Sequence, residues 1–518
     1  MKRMYKILLL AVLITVVFVT SGCRRDGASA GSGRDARTAR MDTLIVGLAG
    51  MPNNLDPSLT NDMPSAYIHE HIYNTLITVD YDMNPVPALA ERWVWEDPTR
   101  LRIFLRRGVR FHNGDELRAS DVKFTLDRAA VAPQIGHITG MIANTAIVND
   151  YEVLITLQYP FVPFLSHLAH TAASIVNEGV VRQLGDVGHS QAPVGTGPYR
   201  VVNIVQGDRI ELTRWDNYWG TAAAAPNLVW RVMTDAATRL VSLETGEIDV
   251  MFAVAPTDMT RVRNHRDLDL HHEMSLSTNY IGFNVTRPPF NDVRVRHAIQ
   301  YALNMEAMVQ AVYLGAMTPT SGPINSRVWG STAEPRPAFP HDVARARQLL
   351  AEAGYPNGFS TTFFTNEGNP QRQDTGEVMA NMLREVGINM EVRLVEWGAY
   401  LDMTARGEAP LYMLGWVTVT GDPDYGLHAL FHTSNQGGAG NRGFYSNTNV
   451  DRLLDQGRQE TDPTRRAAIY RELQQILHDD APWISQSAGA EIIGVRSNVH
   501  GFRIHPHGRH QMWGVSLR

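Results

Sequence analysis

The chain has 518 residues, of which 44% are hydrophobic and 19% are charged. This length exceeds what one hydrophobic core supports, and the composition excludes a disordered chain and a multi-span membrane protein, so two or more domains are expected. The formal charge of −6 and the lack of a basic stripe argue against nucleic acid as the main partner.

The N-terminus predicts an export signal, a signal peptide over residues 1–22. Lys2, Arg3 and Lys6 precede the apolar run ILLLAVLITVVFV (7–19), which small residues follow. The run is too short for a membrane span. The segment holds three basic and no acidic residues, so the rest of the chain carries a formal charge of −9.

The only cysteine, Cys23, directly follows these small residues. A lone cysteine in this position resembles the lipobox of bacterial lipoproteins, although Thr20 stands where that pattern usually has leucine. We therefore expect a lipid on Cys23, and a single cysteine excludes an internal disulfide. Residues 23–42 are rich in Gly, Ser, Ala and Arg and predict a flexible tether. The folded body is thus expected outside the cytoplasm, beside a membrane.

Strand patterns dominate the first half of the body. TLIVGLAG (43–50) predicts a buried strand that runs into a loop. Alternating apolar residues and arginines predict a strand from residue 100, followed by a turn at Asn113-Gly114. Further strands are predicted within 151–157, 192–201 and 209–215.

Helices and strands alternate beyond residue 285. An apolar face predicts one helix over 292–315, with Asp292 as its N-cap and Gly315 at its end. Further helices are predicted at 341–354, 375–387 and 462–483, and a strand at 388–397. The pattern predicts a mixed α/β protein with two lobes, whose boundary lies near residues 279–290.

Four segments in chain order resemble recurrent blocks of the solute-binding proteins of peptide-type ABC importers, a family with oligopeptide, dipeptide, glutathione and nickel binders. They are residues 87–128, PVGTGPY (193–199), LETGEIDV (243–250) and 280–304. Three C-terminal segments resemble the glutathione-binding members most closely. They are residues 355–365, 415–431 and 444–451.

The resemblance implies an α/β, periplasmic-binding-protein-like fold of two lobes joined by hinge strands. Lobe I would comprise residues 43–283 and 490–518, with an extra subdomain at about 82–193, and lobe II residues 284–489. A peptide or glutathione-like ligand would bind between the lobes, which close by a hinge motion.

The resemblance also implies delivery of the ligand to permease subunits by a monomeric protein. The chain has no nucleotide-binding motif, so separate ATPase subunits are implied. We expect no cofactor and no enzyme activity, because no nucleophile and base can be paired.

The loop after the first predicted strand is a candidate wall of the binding cleft, since ligands favour strand ends. Its candidates are Gly50, Met51 and Asn53, and the simpler interpretation is a plain turn. Tyr280 and Asn284 are candidates on the strand that crosses the lobe boundary. Asn284 is equally well interpreted as a structural hinge residue.

The segment TNEGNPQRQ (365–373) separates a predicted strand from a helix and contributes the candidates Asn366, Glu367 and Asn369. The resemblance implies that dipeptide-binding relatives hold the ligand carboxylate with an arginine at the position of Asn366. Arg372 is a possible substitute, and a solvated residue at a helix start is an equally good interpretation.

The segment LGWVTVTGDPDYGLHALFH (414–432) holds further candidates. The resemblance implies an aspartate three residues after Trp416 that pairs with the ligand's α-ammonium, but this chain has Val419. A buried ammonium needs a partner charge, so either Glu367 or Asp422 replaces that acid or the ligand lacks a conventionally held N-terminus. The candidates here are Trp416, Val417, Thr418, Val419, Thr420 and Asp422.

A receptor for a metal, a metallophore or another non-peptide solute is the alternative interpretation. His428 and His432 lie four residues apart and can chelate a metal together with Asp422 or Asp424. The simpler interpretation is that the aspartates cap a short helix near Tyr425 and that the histidines lie on it. We therefore predict no metal site.

Overall fold

The computed structural model describes residues 42–438 and 440–518. The predicted signal peptide, Cys23 and all of the predicted tether except Asp42 lie outside these residues. None of the helices within the described ranges combines the length and the hydropathy needed to cross a membrane.

Nineteen strands are described. They are β1 (Thr43–Leu48), β2 (Ile77–Val79), β3 (Pro85–Pro87), β4 (Ala90–Asp97), β5 (Arg100–Leu105), β6 (Ile142–Asn149), β7 (Glu152–Leu157), β8 (Tyr199–Val205), β9 (Arg209–Arg214), β10 (Asn227–Val232), β11 (Val250–Met251), β12 (Leu268–Phe283), β13 (Thr318–Pro319), β14 (Ser360–Asn366), β15 (Asn389–Val395), β16 (Leu411–Val417), β17 (Trp483–Arg496), β18 (Val499–His500) and β19 (Ser516–Leu517).

Fifteen α-helices accompany these strands in the described ranges. They are α1 (Met63–Ile72), α2 (Ala119–Ala130), α3 (Gly136–Thr139), α4 (Phe164–Leu168), α5 (Glu178–Gln191), α6 (Ala236–Thr245), α7 (Met259–Arg263), α8 (Val293–Ala302), α9 (Met305–Tyr313), α10 (Val343–Glu352), α11 (Pro370–Arg384), α12 (Trp397–Ala405), α13 (Pro423–Phe431), α14 (Thr448–Gln459) and α15 (Pro463–Asp480).

The main sheet has eleven strands in the order β15-β14-β16-β12-β17-β11-β1-β10-β9-β8, with β13 paired to β17. We call lobe I the part built on β1 and β8–β11, and lobe II the part built on β14–β16. The α/β fold with two lobes is therefore confirmed. The residue boundaries of the lobes and of the subdomain stay predictions.

Two long strands connect the lobes. Residues 268–274 of β12 pair with the end of β17 that adjoins β11, and residues 277–283 of β12 pair with β16. The pairing of β12 with β17 changes register between Met274 and Thr278. Gly489 faces this bulge, and a Cβ there would lie only 1.8 Å from Ser277 Oγ. A side chain at position 489 would therefore disrupt the crossing.

A separate four-stranded antiparallel sheet, in the order β4-β5-β7-β6, lies within the predicted subdomain. Leu101, Ile103 and Leu105 of β5 are fully or almost fully buried, as their alternation with arginines predicts. They belong to one apolar cluster with Val122 and Leu126 of α2. This sheet therefore has a hydrophobic core of its own.

The single helix predicted over 292–315 is wrong, because the structure has two helices, α8 and α9. Leu303 takes an extended conformation, and the Asn304 side chain accepts a hydrogen bond from Ala307 N as the N-cap of α9. An asparagine before a second apolar run is a start signal, which the common apolar face conceals. The predicted N-cap Asp292 is confirmed.

The helix predicted at 375–387 begins earlier, at Pro370. Asn369 is its N-cap and accepts a hydrogen bond from Arg372 N at 3.1 Å. Proline is favoured in the first turn, because its missing N–H would have no partner there. The first turn of α11 thereby falls at the end of β14, where the ligand was expected.

Candidate functional site

A cavity with a volume of about 460 Å³ lies between the lobes. Lobe I lines it with the loop after β1 and with the start of α1. Lobe II lines it with the first turn of α11, with α12 and with the end of β16. A cavity of about 300–1,000 Å³ between lobes is typical of small-molecule sites. The cavity is therefore the candidate ligand site.

The lobes meet around this cavity. The Trp397 Nε1–H donates to Asp62 Oδ2 at 3.4 Å, and Tyr425 Oη lies 3.1 Å from Asn61 Nδ2. Gly368 has a φ of 77° and lies so close to Ala49 that a Cβ at position 368 would be only 2.9 Å from Ala49 O. Only glycine suits both this conformation and this contact. The structure thus has the closed arrangement of the two lobes.

The cavity brings together many of the predicted candidates. Those that line it are Gly50, Asn53, Tyr280, Asn366, Glu367, Asn369, Trp416, Val417 and Val419. The candidates outside its lining are Met51, Asn284, Thr418, Thr420 and Asp422. The roles of all these residues in ligand binding stay predictions.

Most candidates outside the lining have structural contacts that account for their positions. Met51 packs against the buried apolar cluster of lobe I. Asn284 donates to Gly407 O at 2.8 Å and accepts from Thr286, which fits the hinge interpretation. Thr418 is buried, and its N–H donates to Leu276 O at 3.1 Å. These contacts are compatible with structural roles for the three residues.

Asp422 and Asp424, the two aspartates near α13, have different partners. Asp422 is the N-cap of α13, since its carboxylate accepts from Asp424 N at 2.9 Å, and it forms a bidentate ion pair with Arg466 at 2.7 Å. Asp424 is buried against Arg458, with two contacts of 3.2 Å. Both carboxylates already have partners within the protein, and the binding role of Asp422 stays a prediction.

We expect the Asp422→Ala substitution to reduce stability by about 3 kcal/mol and to leave ligand affinity unchanged. It removes a helix cap and leaves the buried Arg466 guanidinium without its carboxylate. Chemical denaturation measures the first effect and calorimetry with glutathione or a bound peptide the second. Asp292→Ala is the control, because it removes a cap that pairs only with the exposed Arg294, and it should cost about 1 kcal/mol. If Asp422→Ala lowers ligand affinity without lowering stability, Asp422 is a ligand-binding residue.

Val419 stands in an apolar wall. It is 5% exposed and packs with Ala129, Ile135, Ile138 and Tyr425. The ammonium-binding acid implied by the resemblance is therefore absent from this wall.

Arg372 extends from the first turn of α11 into the cavity lining. Its Nη1 donates to Asn366 Oδ1 at 2.6 Å, and no carboxylate of the described residues forms an ion pair with it. Burial lowers the pKa of the Arg372 guanidinium, whereas nearby Tyr400, Tyr313 and Tyr280 act to raise that pKa. Arg372 is half-buried in the cavity lining, so its role in binding stays a prediction.

Sequence reasoning missed several charged groups in the lining. They are Asp62, Arg239, Asp402, Arg442, Glu491 and Arg509. They lie on six different segments, from the loop before α1 to the segment after β18, and none belongs to a motif that spacing would reveal. Asp62 caps α1, and Arg239 donates to the carbonyls of Met233 and Thr234, so these two have structural partners.

His428 and His432 lie close to Asp455, and their ligand atoms are within 4.8 Å of one another. Each Nε2 is 3.7 Å from Asp455 Oδ1. However, Ser434 N donates to His432 Nδ1 at 3.1 Å, and Asn435 Nδ2 lies 3.2 Å from His428 Nδ1. These donors favour protons on both Nε2 atoms, facing the carboxylate, whereas a metal there would need the free lone pairs. The cluster therefore fits two imidazole N–H groups that face the Asp455 carboxylate better than it fits a metal.

The two-lobed fold with a cavity between the lobes is that of a solute-binding protein. The chain matches the family model described as bacterial extracellular solute-binding proteins, family 5 middle, over residues 84–438. It belongs to this family. The resemblance of its sequence motifs to peptide-type ABC solute-binding proteins is thus confirmed.

The similar proteins include binders of glutathione and of peptides. The glutathione-binding protein GsiB of Salmonella choleraesuis is 31% identical over 475 residues, which cover 89% of this chain and 92% of that protein. The periplasmic binding protein DppA of Helicobacter pylori, solved with the peptide STSA, is 27% identical with a TM-score of 0.86 and covers 93% of this chain and 99% of its own. The dipeptide-binding protein of Pseudoalteromonas sp. SM9913, solved with Met-Leu, is 25% identical with a TM-score of 0.87. The match covers 92% of this chain and 100% of that protein's chain.

Proposed function

We propose that this protein is the extracytoplasmic substrate-binding component of a peptide-type ABC importer. It captures a short peptide or a glutathione-like ligand between its lobes and delivers it to a membrane permease with separate ATPase subunits. It acts as a monomer, without catalysis or a cofactor, and a lipid on Cys23 holds it beside the membrane. Its lobes comprise 43–283 with 490–518 and 284–489, and the subdomain about 82–193.

The observation that carries the proposal is the carboxylate-binding corner at Arg372. Asn369, Pro370, Gln371 and Arg372 form the start of the fifteen-residue helix α11 and line the cavity. The dipole at a helix start favours an anion, and an arginine there adds planar donors that match a carboxylate. The half-buried Arg372 guanidinium has no acidic partner among the described residues, so a ligand carboxylate supplies the missing charge.

The similar proteins support the class of ligand. The curated relative is named for glutathione, and the two solved proteins hold a tetrapeptide and a dipeptide. All of these ligands have a free carboxylate that suits Arg372. The cavity volume of about 460 Å³ also suits a compound of this size.

Calorimetry of the full-length protein tests this function with glutathione, di- to pentapeptides and a neutral oligosaccharide. We expect saturable binding of glutathione or of at least one peptide and no binding of the oligosaccharide. C-terminal amidation should weaken a bound peptide at least about tenfold, because the charge-assisted hydrogen bonds to Arg372 are lost. Failure of glutathione and of every peptide would contradict the proposed function. Mass spectrometry of compounds that co-purify with the protein is an independent check.

A further inference from the structure

One corner of the cavity, remote in sequence from Arg372, holds a second arginine. Leu401, Asp402 and Ala405 of α12 line this corner together with Gly438 and Arg442. Arg442 is 8% exposed, and its Nη1 donates to Leu401 O and to Thr404 Oγ1. A guanidinium has five N–H donors, so three remain on Nε and Nη2. None of the three has an acceptor among the described residues.

Asp402 completes the corner with an acid. It is exposed to the cavity, and within the described part of the chain its carboxylate takes part in no hydrogen bond or ion pair. It directly follows Leu401, whose carbonyl accepts from Arg442. A cation and an anion thus lie side by side at the cavity surface without pairing with each other.

Burial lowers the pKa of the Arg442 guanidinium, while Tyr280, Tyr412, Tyr400 and Asp402 act in the opposite direction. Tyr280 and Tyr400 act on Arg372 as well. Both guanidinium groups line the cavity. Together with Asp402, the lining therefore offers two sites for anions and one for a cation.

An ammonium site next to a carboxylate site distinguishes γ-glutamyl peptides from α-linked peptides. In an α-linked peptide, the first residue has lost its α-carboxylate to the amide bond and the last residue has lost its α-ammonium. A γ-glutamyl residue is joined through its side chain, so one carbon keeps both charged groups. Such a peptide also has a second carboxylate at its other end.

We propose that Arg442 and Asp402 form the subsite for the α-carboxylate and α-ammonium of a γ-glutamyl residue, while Arg372 binds the distal carboxylate. This inference rests on the proposed function and narrows its ligands to γ-glutamyl peptides. It also accounts for Val419, because Asp402 takes the role of the acid that is missing there.

Two isomers of equal composition and charge test the subsite. Glutathione and α-glutamyl-cysteinyl-glycine differ only in the linkage of the glutamate. Calorimetry of the full-length protein under reducing conditions should show glutathione binding at least about tenfold more tightly, because the isomer leaves the subsite groups unpaired. Asp402→Asn should remove most of this preference, and its exposed position should leave the fold intact. Arg442→Lys keeps the charge but loses the planar donors, so it should weaken glutathione binding too.

Asp374→Asn is the matched control, because Asp374 is exposed on α11 and outside the cavity lining. It should keep both the affinity and the preference. Equal affinity for the two isomers, or a full preference in Asp402→Asn, would overturn the subsite and leave the proposed function standing. If short α-linked peptides bind and glutathione does not, the subsite is also overturned. If neither isomer nor any short peptide binds, the proposed function fails as well.

Discussion

Replacing Arg372 by methionine should weaken the binding of glutathione, or of the tightest-binding short peptide, by at least about 100-fold. The guanidinium is the cationic group at the start of α11 in the cavity, and arginines that bind a buried carboxylate rank among the most sensitive positions of binding sites. Methionine fills a similar space without charge. Calorimetry of both proteins measures the loss.

The same substitution should raise, or at least preserve, the melting temperature of the ligand-free protein. Arg372 has no acidic partner among the described residues, so its burial opposes folding until a ligand arrives. Ligand should then stabilise the wild type but not Arg372→Met, because stabilisation by binding requires affinity. The control is Arg384→Met, which replaces an exposed arginine in the last turn of α11. It should change neither the ligand affinity nor the melting temperature of the ligand-free protein. Unchanged affinity in Arg372→Met would contradict the carboxylate-binding corner.

Replacing Arg458 by leucine should destabilise the folded protein by about 3–5 kcal/mol, because it leaves the Asp424 carboxylate buried without its cation. Asp424 is 1% exposed, and Arg458 also donates to Tyr159 Oη at 2.9 Å. Burial raises the pKa of Asp424, but the charge of Arg458 and the contact with His167 outweigh this effect and hold it well below its usual range. The pair joins lobe II to residues 159–167, beyond the four-stranded sheet.

Thermal and chemical denaturation measure this loss, and Arg452→Leu, at an exposed position of the same helix α14, is its control. Adding Asp424→Asn to Arg458→Leu should restore part of the stability, because the second change removes the unpaired charge. If Arg458→Leu costs less than about 1 kcal/mol, the pair is not a main contact between these parts of the molecule.

Sequence patterns predict the parts of this fold that depend on local chemistry. The strand that becomes β1, the apolar alternation of β5 and the caps Asp292 and Asp462 follow from residues close together in the chain. The break between α8 and α9 does not, because Asn304 competes with an apolar face that continues through it.

The candidate site was predictable only in part, for a related reason. Gly50, Asn366 and Trp416 stand at strand ends or in recognisable motifs, so sequence reasoning reaches them. Asp402 and Arg442 come from a helix and a later loop, and only the packing of lobe II places them at one corner of the cavity. Nothing in their local sequence distinguishes them from the many surface charges of the chain.

The interrupted pairing of β12 with β17 has a mechanical consequence. A continuous ladder of hydrogen bonds stiffens a sheet, and a bulge lowers that stiffness at one point. The change of register between Met274 and Thr278 therefore acts as a flexible point between two stiffer parts of the sheet. Ser277, at this flexible point, also lines the cavity. A ligand that fills the cavity consequently restrains bending of the sheet at this point.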